Sequence, residues 1–448
     1  MSQLLKNGQV FFTVQSNTQG KVEKFLGGGT QGEVYQVNLK DKILALKWYF
    51  PEWINQDDKQ KSRLEEAIKL GIPTDRFLWP LEIVNIPDIP ETYGYIMPLR
   101  ESRFKGVVDM MKRQVEPSFH ALATAGFELS NSYYQLHSKG LCYRDISFGN
   151  VFFDPDTGEV RICDNDNVDI NGKPGMIGGT PDFMAPEIVI GKSHPSSFTD
   201  LYSLAVLLFY LFHVHHPLCG KKMLQIKCWD LAARRKIFGE EPVFIFDTDD
   251  TSNEALSKDI DETGECGDNA LAFWQIYPKF FRDLFTKAFT QGLRDPENGR
   301  IAESIWRGEM IRLRDSIFYC SNCGSENFYD LDKLKSSSGD PGKCWSCESH
   351  LAIPPRIRFK KNIIMLNNNT KIFPHHVDDQ KRYDFSNPIA EVIQHPTQPN
   401  VWGLKNLSDE KWVANVNNSI KEVEPGRSVT LALGTKVNFG KDEGEIRA

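Results

Sequence analysis

LHSKGLCYRDISFGN, residues 136–150, places Asp145 and Asn150 five positions apart at the end of a helical segment, SFHALATAGFELSNSYYQLHSKG. A carboxylate can accept the proton of an attacking hydroxyl, and an amide oxygen beside it can hold a divalent cation. Fourteen residues beyond Asn150, VRICDNDNV supplies Asp164 behind a short apolar strand, a second acid able to hold the same cation. Any one of these residues alone reads as a turn residue or a helix cap. The ordered set at this spacing asks for a common explanation.

Working outward, LGGGTQGEVYQV puts Gly27, Gly29 and Gly32 in a GxGxxG pattern with Val34 close behind. Glycine lets a backbone approach phosphate oxygens without side-chain obstruction. A dinucleotide-binding turn reads similarly, but it needs a helix directly after the glycines, whereas EVYQVNLKDKILALKW continues as alternating, strand-like sequence. Lys47, fifteen residues beyond Gly32 and between apolar neighbours, is placed to hold nucleotide phosphates. Such a lysine needs an ionic partner. The amphipathic run KSRLEEAIKL offers Glu66, preferred here, or Glu65.

Further on, GGTPDFMAPEIV carries an APE triplet with Thr180 seven residues before Glu187. Asp200 opens the apolar run LYSLAVLLFYLF, and Arg300 lies in RDPENGRIAES. From about residue 20 to 315 these motifs resemble the eukaryotic-like Ser/Thr protein kinase superfamily. The resemblance implies an α+β, bilobal kinase fold over residues 1–315, with an N-lobe of about 8–100 and a C-lobe of about 101–315. It also implies ATP and Mg²⁺ (or Mn²⁺) as cofactors and a protein substrate. Asp145, Lys47, Asn150 and Asp164 would be catalytic, Asn150 and Asp164 as the Mg²⁺ ligands. Gly27, Gly28, Gly29, Gly32, Val34, Ala45, Lys47, Glu66, Met97 and Leu99 would surround the nucleotide, with Met97 as gatekeeper and the backbone of Pro98 to Arg100 facing adenine. Asp200 would anchor the catalytic loop and Arg300 would pair with Glu187.

Four departures from the family pattern matter. Tyr143 stands for the usual histidine and Asn165 for the DFG phenylalanine, which removes an apolar anchor and predicts little control by flipping of Asp164. Asp166 replaces the DFG glycine, either adding to metal binding or facing solvent. Ser147 stands where a lysine helps neutralise the transferring phosphate, a loss worth about one to three orders of magnitude in rate. The activation segment NVDINGKPGMIGGT has no Ser, Thr or Tyr before Thr180, so regulation from outside the loop is expected, although a phosphate there would usually engage Arg144. A pseudokinase scaffold is the alternative these departures raise, and a small-molecule kinase a third reading that the intact APE segment disfavours.

At 448 residues the chain is too long for one core. A net charge of −7 gives no basic footprint for nucleic acid, and the first twenty residues lack a secretory pattern. The longest apolar run, Leu201 to Phe212, is too short to cross a membrane and reads as a buried helix. A reducing, cytoplasmic setting follows. The acidic stretch DTDDTSNEALSKDIDETGECGD reads as a solvated insertion.

Of nine cysteines, Cys320, Cys323, Cys344 and Cys347 form two CxxC pairs separated by twenty residues, the spacing of a four-thiolate structural zinc ribbon over 316–353. Beyond, at 354–448, RIRFKKNIIML, PNVWGLKNLS, KWVANV, SVTLAL and TKVNFG read as strands of a β-sandwich. The closing stretch resembles a forkhead-associated (FHA) domain but lacks its phosphothreonine-binding residues. His375 and His376 read as surface loop residues rather than ligands. The whole layout is similar to bacterial signalling or stress-response kinases encoded with a von Willebrand-type tellurite-resistance protein and a metal-dependent phosphatase, which would be its partners.

Overall fold

The computed structural model describes residues 3–57, 59–172, 179–398 and 401–448. Positions 173–178, the middle of the activation segment, lie outside the described residues, as do Met1 and Ser2 of the N-terminal stretch. Two compact units divide the chain, residues 1–274 with 283–308, and residues 275–282 with 309–448. No helix among the described residues is long and apolar enough to cross a membrane.

The first unit begins with strands β1 (Val10–Thr13), β2 (Gln19–Gly28), β3 (Gly32–Leu39), β4 (Lys42–Tyr49), β5 (Glu82–Asn85) and β6 (Gly94–Pro98), closed into an antiparallel barrel in the order β1-β2-β3-β4-β6-β5. Side chains alternate across each strand. Along β4, Leu46 and Trp48 therefore join the core with Val37 and Ile96, while Ala45, Lys47 and Tyr49 point to the opposite face. Between β4 and β5 lie two helices, α1 (Pro51–Gln56) and α2 (Gln60–Leu70). The sequence announced only the second. The first has the proline-at-N1 signal in PEWINQ and buries no residue, so it carries no hydrophobic period to read.

Downstream, the helix Phe119–Ser138 starts at Ser118, whose hydroxyl accepts from the Ala121 N–H at 3.1 Å. Ser197–His213 is the expected core helix, buried along nearly its whole length. The acidic stretch 247–268 is more than a solvated insertion. Asn253 is buried and donates to the carbonyls of Leu218 and Val243, and Leu256 and Cys266 are buried too. A few anchors suffice to fix a loop whose average composition is polar.

In the second unit, the hairpin Ile317–Tyr319 and Glu326–Phe328 carries the first CxxC pair. The polar segment that follows holds a short helix, Leu331–Ser336, capped by Asp330. Ten further strands make a six-stranded and a four-stranded antiparallel sheet, from Arg356–Arg358 to Glu443–Arg447. The two sheets share one core, with Ile357, Ile364, Trp412 and Val437 from the first facing Ile372, Val392, Leu404 and Val429 from the second. Met365 of the larger sheet packs with Phe318, Cys320, Cys344 and Leu351. The cysteine hairpin and the sandwich thus form a single compact unit.

Candidate active site

The first unit contains a cleft of about 510 Å³ lined by the β2–β3 turn, Ala45 and Lys47 of β4, Met97 to Arg100, and Asp145, Cys163 and Asp164. Gly27, Gly28, Gly29, Gly32 and Val34 are among its walls. A Cβ on Gly27 or Gly29 would meet nothing within 4 Å, whereas one on Gly32 would lie 2.2 Å from the Trp48 carbonyl oxygen. Gly32 is therefore required by the hairpin itself, and the other two leave room above the cleft. Leu78 and Phe152 complete the apolar walls.

Asp145 accepts at Oδ1 from the backbone N–H and hydroxyl of Thr180, at 2.8 and 2.7 Å, and at Oδ2 from the Asn150 amide at 3.1 Å. Burial pushes its carboxyl above the ordinary range, and these hydrogen bonds pull back against that. Asn150 also donates to the Asp145 carbonyl, which fixes the amide beside the acid. Asp164 sits in the left-handed region, at φ 51°, with a partly exposed carboxylate 3.3 Å from Lys47. Asn150 and Asp164 offer the oxygen donors that a magnesium ion takes.

Lys47 is buried, and its ammonium donates to both oxygens of Asp166 (3.1 and 2.9 Å), to Asp164 and to Gln31 at 2.7 Å. Glu66, the expected partner, is not among its contacts. It lies on the exposed side of α2, whose inward residues are Gln60, Leu64 and Ala67. Asp166 neither faces solvent nor stands ready for a metal. It is buried and also accepts from the hydroxyls of Tyr49 (2.6 Å) and Tyr95 (3.1 Å). Burial opposes the charges on this pair, yet the pairing wins, holding Asp166 below the ordinary carboxylate range and Lys47 above the ordinary lysine range.

A protein-family model described as "Protein kinase domain" matches residues 21–263, more than half of the chain. The chain belongs to the protein kinase family. It is 34% identical to a putative ribosomal protein S6 kinase alpha-1 of Caenorhabditis elegans over 45% of this chain and 26% of that protein. It is 28% identical to protein kinase C delta type of Mus musculus over 44% of this chain and 30% of that protein. A third relative, CBL-interacting protein kinase 3 of Oryza sativa subsp. japonica, is 21% identical over 81% of this chain and 85% of its own length. The chain spans about 30% of the length of the first curated relatives it matches.

Around the kinase cleft, Asp200 accepts from the backbone N–H groups of Tyr143 and Arg144, the latter at 3.0 Å. His137 bridges Asp200 and Glu303. Burial alone would lower this histidine, but the two carboxylates raise it to about 9. Arg300 pairs with Glu187 at 2.8 Å. Tyr143 is buried against Tyr133 and Phe77, and its hydroxyl donates to the Cys163 carbonyl. Asn165 is fully buried as well, its amide donating to the Ile162 carbonyl. Arg144, for which the sequence supplied no loop phosphate, meets the buried carboxylate of Asp169 at 3.1 Å. Gln31 and the tyrosines 49 and 95 were missed from sequence. Tyr49 was legible, two residues after Lys47 on the same strand face.

In the second unit, the Sγ atoms of Cys320 and Cys347 lie 3.7 Å apart, as do those of Cys323 and Cys344. A disulfide needs about 2.05 Å. Four sulfurs around a tetrahedral zinc at about 2.3 Å would be separated by about 3.8 Å. Hydrogen bonds from Ser349 and Asn322 pull Cys347 down to about 5, toward the thiolate a metal requires. The cysteines thus fit zinc. His376, expected on the surface, is buried: Nδ1 accepts from the Phe373 N–H at 3.0 Å and Nε2 contacts Asp315 at 3.2 Å. Both His376 ring nitrogens are thus held by protein groups, and His375 and Asp315 lie close beside it.

Proposed function

We propose that the chain is an ATP- and Mg²⁺-dependent protein kinase that phosphorylates serine or threonine. The observation that carries this reading is the convergence of Asp145, Asp164 and Lys47 on one cleft beneath the glycine turn, with Asn150 hydrogen-bonded to Asp145. Asp145 would orient the acceptor hydroxyl and take its proton, with Thr180 and Asn150 fixing the carboxylate. Lys47 would hold the α- and β-phosphates, and Ala45, Val34, Met97 and Leu99 would enclose adenine. Asn150 and Asp164 would hold the magnesium ion, which neutralises charge on the transferring phosphate.

Ser147 supports a second reading, a scaffold that binds nucleotide without turnover, because among the described residues it leaves the phosphate with Lys47 and Arg100 as the cations of the cleft wall. Transfer of label from γ-labelled ATP to a generic acceptor protein, lost in Asp164→Ala, would support catalysis. Nucleotide binding without transfer would favour the scaffold.

The four cysteines would bind a structural zinc ion, and the two-sheet module, FHA-like in its closing strands, would serve as a protein-docking or autoregulatory module. On this reading the kinase serves a bacterial signalling or stress-response system in the cytoplasm. Its partners would be a protein substrate and, following the layout it resembles, a von Willebrand-type protein and a metal-dependent phosphatase.

A further inference from the structure

We propose that Asp166, gripped by Tyr49 and Tyr95, is the positioning residue that orients Lys47 toward the nucleotide phosphates, in the place expected of Glu66 on helix α2. The inference rests on the kinase reading above. The Asp166 side chain is wholly buried and that of Lys47 is 5% exposed. Two such charges are held in an interior only where their remaining hydrogen-bonding capacity is met. Here it is met. Oδ1 takes Lys47 and Tyr95, and Oδ2 takes Lys47 and Tyr49.

The three donors come from one face of the barrel. Lys47 stands opposite Tyr95 in the β4–β6 register, and Tyr49 lies two residues along on the same side of β4. The acceptor comes from the segment that also carries Asp164, so the lysine and the metal-ligand carboxylate are fixed by one short piece of chain. Helix α2 contributes Leu64 and Ala67 to the packing and no charge to the lysine. Lys47 therefore does not depend on a glutamate of α2 for its orientation, and a partner that displaces this helix does not switch the enzyme by breaking a lysine–glutamate pair.

The test uses the full chain and compares Asp166→Asn, which keeps shape and removes charge, with Glu66→Gln. Steady-state transfer at varied Mg-ATP is expected to show kcat lowered about a hundredfold in Asp166→Asn, with KM for ATP changed much less. Glu66→Gln is expected to stay within about twofold of the parent in both parameters, well inside the effect of one lost hydrogen bond. The reverse ranking overturns the proposal. Should Asp166→Asn fail to fold, Tyr95→Phe keeps the ion pair and removes one donor, and a kcat loss of about fivefold is expected; no loss there counts against the proposal. A structure with Mg-ADP bound gives a readout independent of turnover. Asp166 on Lys47 in that complex upholds the assignment, and Glu66 in its place overturns it. A parent that binds Mg-ADP with the Asp166 pair intact yet transfers nothing refutes the kinase reading alone.

Discussion

Thr180 and Asn150 between them engage both oxygens of Asp145, which leaves the acid fixed at the mouth of the cleft with its remaining lone pairs available to a hydroxyl. Asp145→Asn removes the proton acceptor while preserving shape. Phosphate transfer is expected to fall by at least about a hundredfold, with the melting temperature nearly unchanged, as judged by label incorporation beside thermal denaturation. At this scale chemistry and spacing left a mark in the sequence: Lys47, Asp145 and Asp164 line one cleft, and Asn150 is hydrogen-bonded to Asp145. What stayed hidden was pairing. Whether Lys47 meets Glu66 or Asp166 depends on the rotation of α2 and on the depth at which the 164–166 segment lies, and neither leaves a mark in the periodicity of KSRLEEAIKL.

Elements fix the site through a few joints. Asp200, on the helix Ser197–His213, holds the backbone of Tyr143 and Arg144, and His137 of the helix Phe119–Ser138 bridges it to Glu303. The folded-state value of His137, about 9, exceeds the ordinary value of 6.5. Its contribution is thus complete below about pH 6.5 and is lost as pH rises through about 9, a change of up to about 3 kcal/mol. Chemical denaturation between pH 6.5 and 9.5 should show this decline in the parent and a flatter profile in His137→Gln. At the glycine turn, Gly32→Ala would drive a methyl into the Trp48 carbonyl. It is expected to destabilise the barrel by about 1–3 kcal/mol and to weaken nucleotide binding, measured by denaturant titration and calorimetry. Long periodic elements were readable from sequence. The strands Ala390–Gln394 and Ser419–Val423 were not, because AEVIQ and SIKEV are too short and too mixed in polarity to stand out.

For the whole molecule, the division into units follows shared cores rather than motif boundaries. Sequence placed separate borders at 315 and 353, set by the kinase motifs and the second CxxC pair. In the second unit Met365 packs with Cys320 and Cys344, so the cysteine hairpin cannot be exchanged without disturbing the sandwich. A structural zinc would therefore stabilise the whole second unit. Metal analysis is expected to give one zinc per chain, and Cys344→Ser or chelation to lower the melting temperature of this unit. A metal-free chain of full stability would contradict that.

The central claim is that the cleft transfers phosphate to protein hydroxyls. Its most direct test is phosphoamino-acid analysis of a generic acceptor protein after incubation with γ-labelled ATP, Mg²⁺ and either the parent chain or Asp145→Asn. Phosphoserine or phosphothreonine from the parent, and neither from the variant, is the expected result. Equal labelling by both chains, or none from a parent that binds nucleotide, would contradict it.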